Sequence, residues 1–229
     1  GHATPVQGPD EDWWMIYHGY ERGFHTLGRQ MLLEPIEWTK DGWPRATGGD
    51  LSRPLRKPAR QSKVSVRAVE PADIKLDQLG TRLAVFMPPA DYLSKVQLED
   101  GRLRLSAHGA SPAESNLLLL NVGERSYSAT FDLELSPGAA TGLLLFYNKR
   151  VFCGFAASAT KLTLYKAAME FPFFPAGPAV GARLRVRVTN DHNVASFAIS
   201  ADGASWRKVT SFEVSGYNHN VFDGFLSLR

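Results

Sequence analysis

The chain consists of many short segments in which apolar and polar residues alternate, and no stretch repeats its apolar residues with the period of a helix. Trp13 to Tyr20 is rich in residues that favour β-strands. Arg183 to Val188 alternates strictly, which predicts a strand with arginines on one face and aliphatic residues on the other. Gly142 to Tyr147 is an apolar run that suits a central strand, and the Asp202-Gly203 pair predicts a hairpin turn. These patterns predict an all-β protein.

The predicted strands form two blocks. Residues 1–50 contain two or three antiparallel strands, one of them over Leu27 to Trp38 with an interruption at Pro35. Two or three strands cannot easily bury a hydrophobic core alone. This block is therefore predicted to be one sheet of a repeated array. It starts without an initiator Met or a signal peptide, as expected of a piece of a longer protein. Residues 69–229 contain many short strands, the last over Phe222 to Arg229, and predict a two-sheet β-sandwich.

Residues 51–68 are predicted to form a basic linker between the blocks. The chain has 229 residues, 44% hydrophobic and 21% charged, which favours a folded protein over a disordered one. Its net charge is +3, yet the linker carries six basic residues and no acidic one: Arg53, Arg56, Lys57, Arg60, Lys63 and Arg67. No aromatic residue lies among them, so a solvated linker against an acidic neighbour is favoured over nucleic-acid binding. No apolar run approaches the roughly 18 residues of a membrane span, so we expect no membrane partner.

Familiar catalytic motifs are missing from the sequence. It contains no Gly-x-Ser-x-Gly elbow, phosphate loop or dinucleotide fingerprint. The single cysteine, Cys153, has apolar neighbours and is predicted to be a buried thiol. A chain with one cysteine cannot form an intrachain disulfide framework or a multi-cysteine zinc site. A glycosidase needs two carboxylates, and Glu34 and Glu37 are the only plausible inward pair in the first block, although edge or ion-pair roles suit them better. The dense tryptophans of that block suit either sugar stacking or packing between sheets.

The ordered motifs of the first block resemble glycoside hydrolase family 43. They are Gly1-His2-Ala3-Thr4, Asp12-Trp13-Trp14-Met15-Ile16-Tyr17-His18-Gly19, Leu27-Gly28-Arg29-Gln30, Glu34-Pro35-Ile36-Glu37-Trp38 and Asp41-Gly42-Trp43-Pro44. They look like the last blade of a five-bladed β-propeller. The second block, through Gly142 to Asn148 and Gly224 to Arg229, resembles the concanavalin A-like β-sandwich that follows the propeller in β-xylosidases and α-L-arabinofuranosidases of the family.

The resemblance implies inverting hydrolysis of β-D-xylosides or α-L-arabinofuranosides in xylan-type oligosaccharides. The family's catalytic carboxylates lie on earlier blades, so the resemblance implies no catalytic residue in this chain, no activity of the chain alone, and a remaining propeller segment as partner. Arg29 is similar to the arginine that reaches the sugar pocket and the carboxylates there, and His2 to the histidine associated through water with a central calcium ion. Phe152 or Tyr147 corresponds to an aromatic at the pocket rim. A stand-alone carbohydrate-binding sandwich, or a purely structural domain, remains an alternative.

Overall fold

The structure, a computed structural model, describes residues 2–50, 83–100, 102–106, 108–159, 161–171 and 183–229. Strands dominate these residues, and the only helical elements among them are a four-residue helix and a short 3-10 turn. The chain divides into two compact units. Of the described residues, the first unit contains 2–21 and 29–50, and the second contains Arg22–Gly28 and everything from residue 83 onward. The predicted linker, residues 51–68, lies outside the described residues, so the predicted boundaries at 50 and 69 stay predictions.

Residues 2–21 and 29–50 of the first unit form one antiparallel sheet of four strands in chain order. Its strands are β1 (Ala3–Gln7), β2 (Trp13–Tyr20), β3 (Arg29–Trp38) and β4 (Pro44–Ala46). The strand predicted from Leu27 is therefore shorter at its start, and Pro35 does not interrupt it. Pro35 lies opposite Trp14 in the β2–β3 pair, and its carbonyl accepts a hydrogen bond from the amide of Thr47. Proline lacks only the backbone N–H donor, so its carbonyl can still accept a hydrogen bond within the sheet.

Strand alternation sorts the side chains of this sheet onto two faces. On one face, which we call the arginine face, Tyr20 lies opposite Arg29, His18 opposite Met31, Ile16 opposite Leu33 and Trp14 opposite Pro35. On the other face, Tyr17 lies opposite Leu32, Met15 opposite Glu34 and Trp13 opposite Ile36. The register of β2 and β3 therefore decides which polar side chains can act together.

Where the structure describes it, the second unit contains twelve strands and one short α-helix. They are β5 (Leu83–Val85), α1 (Tyr92–Lys95), β6 (Val96–Glu99), β7 (Arg102–Leu105), β8 (Leu118–Leu120), β9 (Ser126–Glu134), β10 (Thr141–Asn148), β11 (Val151–Ala157), β12 (Leu162–Lys166), β13 (Met169–Glu170), β14 (Arg183–Asp191), β15 (Val194–Ser200) and β16 (Arg207–Glu213). Its strands form two four-stranded sheets, β10-β11-β12-β13 and β16-β15-β14-β9, and two separate two-stranded sheets, β5-β8 and β6-β7.

The core of this unit lies between its two large sheets. The aliphatic residues predicted to point inward on β14, including Val186 and Val188, are buried, while Arg183 and Arg185 are exposed. From β15, Phe197 packs edge-on against Phe155 of β11, with ring centroids 6.2 Å apart. Burying alternate apolar residues of both sheets against each other supplies the main stabilisation of a sandwich.

The connection between β2 and β3 belongs to the second unit. It runs over Arg22–Gly28 and contains a 3-10 turn, His25–Leu27, where a strand start was predicted. The strand predicted at the end of the chain is also absent from the described residues. Instead, Arg229 exchanges two backbone hydrogen bonds with Phe146 of β10, and the amide of Leu228 donates to the carbonyl of Thr26 over 2.7 Å. No helix among the described residues has the length and apolar character needed to cross a membrane.

Candidate functional site

Polar side chains gather at one end of the arginine face. Arg29 begins β3 and is exposed, and its guanidinium carbon lies 5.9 Å from the centre of the Tyr20 ring. His18 follows on the same face, and its ring centre lies 6.1 Å from that of His2. Two residues predicted from the resemblance, Arg29 and His2, thus both lie next to His18. The group presents a guanidinium fork, a phenol and two imidazoles within one blade.

His18 links the other members of this group. Its Nε2 atom is shielded from solvent and has no hydrogen-bond partner among the described residues. Desolvation lowers the pKa of this imidazole, and the positive charges of Arg29 and His2 act in the same direction. The neutral imidazole is therefore the favoured form near neutral pH, with one nitrogen able to accept a hydrogen bond and the other able to donate one. The sequence analysis did not select His18 or Tyr20 as site residues. Their spacing of two positions along β2 nevertheless places both side chains on the same face of the sheet.

The described residues around His2 do not form a calcium site by themselves. Calcium takes six to eight oxygen ligands. The ring recorded beside His2 is the imidazole of His18, and no cluster of three or more His, Cys, Asp or Glu residues suited to a metal occurs among the described residues. The calcium role of His2 stays a prediction.

The structure separates the two glutamates considered as a catalytic pair. Glu34 is buried on the face opposite to Arg29, where it accepts a hydrogen bond of 2.9 Å from the hydroxyl of Tyr17. Burial and this hydrogen bond raise the pKa of Tyr17. Glu37 is exposed and forms an ion pair with Arg45 at 2.9 Å. Three residues apart on one strand, the two carboxyl groups point to opposite faces and cannot act on one bond together.

The aromatic residues considered for the pocket rim lie inside the second unit. Phe152 is 1% exposed, and its ring stacks against Phe146 with centroids 5.9 Å apart. Tyr147 is 2% exposed, and its hydroxyl donates to the carbonyl of Gly224 over 2.6 Å. Neither ring offers a free face to a sugar in this arrangement, so the geometry lends no support to a rim role. An apolar run in the sequence does not reveal which of its aromatics faces solvent.

Comparison with known proteins agrees with the first-block motifs. Residues 1–44 match the family model "Glycosyl hydrolases family 43". The resemblance to glycoside hydrolase family 43 is confirmed. A non-reducing end alpha-L-arabinofuranosidase of Bacteroides ovatus is 29% identical to this chain over 109 residues, which are 46% of the chain and 21% of that protein. The family 43 match covers both Arg29 and His2.

Solved structures extend the family 43 likeness to the whole fold. The chain aligns over 100% of its length with 48% of a family 43 protein from Bacillus licheniformis, at a TM-score of 0.79 and 21% identity. It aligns equally completely with 48% of a xylan beta-1,4-xylosidase from Bacillus halodurans, at a TM-score of 0.78 and 19% identity. The predicted fold class, a propeller blade followed by a concanavalin A-like sandwich, is confirmed by this likeness. The chain spans about half the length of these proteins.

Proposed function

We propose that this chain is the C-terminal part of a family 43 glycosidase that removes β-D-xylosyl or α-L-arabinofuranosyl units with inversion. In this proposal the chain shapes the sugar pocket and the catalytic carboxylates lie outside it. The observation that carries the proposal is the grouping of Arg29 and His2, both within the family 43 match, at one end of one sheet face.

Exposed apolar residues on the arginine face support a missing neighbour. Ile16 and Leu33 lie opposite each other in the middle of the sheet, and each remains more than one-third exposed. Met31, beside His18, is 83% exposed. Apolar residues grouped on one sheet face mark a surface that packs against another element. We infer that the remaining propeller segment, on the same polypeptide or on a separate chain, covers this face.

Arg29 suits a sugar-binding role because of its shape and position. A guanidinium donates hydrogen bonds in a fixed planar fork, which fits two neighbouring hydroxyl groups or a carboxylate. The ring of Tyr20 lies 5.9 Å from the Arg29 guanidinium carbon, which limits the orientations of the fork. The neutral imidazole of His18 beside it neither repels nor neutralises the guanidinium. Arg29 would thus orient a pentose while the catalytic acids act on its glycosidic bond.

The chemistry of inversion explains why this chain needs the other segment. An inverting glycosidase uses one carboxylic acid to protonate the leaving oxygen and one carboxylate to activate water, about 6.5 to 9.5 Å apart. Glu34 already accepts a hydrogen bond from Tyr17, and Glu37 pairs with Arg45 on the opposite face of the strand. We therefore assign neither of them to catalysis and place both acids on the missing segment.

The first experiment is hydrolysis of aryl β-D-xyloside and aryl α-L-arabinofuranoside by the purified 229-residue chain. We expect no turnover above the buffer blank, and restored turnover when the segment that supplies the remaining blades is added or fused. Turnover by the chain alone that disappears in the Glu34→Gln or Glu37→Gln variant would overturn the placement of the acids.

The second experiment tests Arg29 in the reconstituted enzyme. Hydrogen bonds to a charged group contribute about 1.5–3 kcal/mol, so Arg29→Ala should lower kcat/KM by about 10- to 150-fold. Arg45→Ala is the matched control because Arg45 is an exposed arginine of the same sheet, paired with Glu37. Equal kcat/KM values for the two variants would contradict the role of Arg29.

A further inference from the structure

One asparagine makes two hydrogen bonds to the connection Arg22–Gly28 within the second unit. Thr26 Oγ1 donates a hydrogen bond of 2.7 Å to Asn193 Oδ1, and Asn193 Nδ2 donates one of 3.2 Å to the carbonyl of Gly23. Thr26 is 5% exposed and Asn193 is 7% exposed, so this pairing is made away from water. One side chain therefore fixes two points of the connection.

The turn that carries Asn193 explains why an asparagine occupies the position. His192 and Asn193 join β14 to β15, with φ angles of 49° and 74°. Two central residues with positive φ form the type I′ turn of a tight hairpin, and asparagine tolerates this conformation better than most residues. The amide of Val214 also donates to the carbonyl of Asn193 over 2.8 Å. The backbone that carries this side-chain amide is thus fixed both by the turn and by the hydrogen bond from Val214.

Two further contacts hold the connection on either side of Thr26. The ring of Phe24 lies 4.9 Å from the guanidinium carbon of Arg125 and 5.7 Å from the ring centre of His192. At the other end, Gly28 has a φ of 72°, and a Cβ atom there would lie 3.1 Å from the Cβ of Ser227. A side chain at this position would be strained by its backbone and crowded by its neighbour. The connection is therefore built to lie in a single place.

Both ends of this connection lead directly into the arginine face. The residue before it is Glu21, next to Tyr20, and the residue after Gly28 is Arg29, which lies opposite Tyr20 in the sheet. We propose that Asn193 is a positioning residue, which holds the connection Arg22–Gly28 and thereby fixes the backbone from which Arg29 reaches the sugar. This proposal rests on the sugar-binding role proposed for Arg29, but the holding of the connection can be tested without it.

The first test measures local opening in the 229-residue chain by limited trypsin digestion and mass spectrometry. Trypsin cleaves after Arg22, which is exposed within the connection. Thr26→Val removes the hydroxyl at nearly constant shape and leaves Asn193 Oδ1 buried without that donor, and Asn193→Gly removes the side chain but suits a positive φ. We expect cleavage after Arg22 to become about 5- to 150-fold faster in both variants.

Thr210→Val is the matched control for the first test. Thr210 is buried in β16 opposite Phe197, so its substitution tests the general effect of losing a buried hydroxyl. Its rate of cleavage after Arg22 should stay within about threefold of the unmodified chain. Equal cleavage rates for Thr26→Val, Asn193→Gly and the control would overturn the holding role, whether or not the protein hydrolyses pentosides.

The second test uses the reconstituted enzyme and separates positioning from stability. If Asn193 acts through Arg29, Asn193→Gly should raise KM in the presence of Arg29 and have no further effect in the Arg29→Ala background. Asn193→Asp retains an oxygen acceptor for Thr26 and should restore most of the lost kcat/KM. Equal effects of Asn193→Gly in the two backgrounds would overturn the positioning role even if trypsin cleavage is accelerated.

Discussion

Cys153 gives a direct test of how tightly the sandwich core is closed. It is the only cysteine in the chain, and its thiol is buried on β11. Burial raises the pKa of this thiol from 9.0 to about 12, and a hydrogen bond from the Tyr217 side chain acts in the opposite direction. Only the thiolate reacts with disulfide reagents, so the folded protein should react slowly at pH 8.

The size of the effect follows from the two pKa values. At pH 8 a thiol with a pKa of 9.0 is about one-tenth ionised, whereas one with a pKa of about 12 is about one ten-thousandth ionised. The folded chain should therefore react about a thousandfold more slowly with an aromatic disulfide than the chain in guanidinium, with glutathione as a control in both solvents. A folded rate within tenfold of the denatured rate would refute the closed core.

The same shift sets a pH limit on stability. Because the pKa of Cys153 is higher in the folded chain than in the unfolded chain, its contribution is fully present below pH 9 and is lost as pH rises toward 12. Burial also raises the pKa of Tyr217 to about 12 and that of Tyr127 above its ordinary range, so these groups act in the same direction. Urea midpoints should fall between pH 9 and 11, and a midpoint that rises over this range would contradict the sign of all three shifts.

Two substitutions test the packing of the second unit. Phe197 is fully buried against Phe155, so Phe197→Ala should lower the free energy of unfolding in urea by about 3–5 kcal/mol. Val194 is half-exposed on the same strand, so the control Val194→Ala should lower it by less than about 1 kcal/mol. A Cβ on Gly154 would overlap the carbonyl of Leu143 on the paired strand, so Gly154→Ala should give no cooperative near-ultraviolet unfolding transition; a native-like transition would show that β10 and β11 can move apart.

The strands with the clearest local pattern were predictable from sequence. The alternation from Arg183 to Val188 gave the strand and the face of each residue, because one side of that sheet meets the core and the other meets solvent. Trp13 to Tyr20 was predicted as a strand from its content of residues that favour β-structure. Periodicity is a local property, so it works where a whole strand faces one environment on each side.

Features set by distant residues were not predictable. Leu27 was predicted to lie in a strand, but Thr26 beside it pairs with Asn193, which is 167 residues away. The end of the chain pairs with Phe146 without forming the predicted strand. At the candidate site, the sequence motifs pointed to Arg29 and His2. The position of His18 on the same sheet face as Arg29 depends on the register between β2 and β3, which the motifs do not give. The burial of Phe152 depends on which side of its sheet other segments cover.

The long separation between Thr26 and Asn193 has a consequence for synthesis of the protein. Their hydrogen bond joins positions 167 residues apart in the chain. At about 5–20 residues per second, the ribosome adds Asn193 roughly 8 to 33 s after Thr26. During this interval the connection cannot form its two hydrogen bonds with Asn193 of the β14–β15 turn. The fixing of this early segment therefore waits for a late one, and slower translation between them would lengthen that wait.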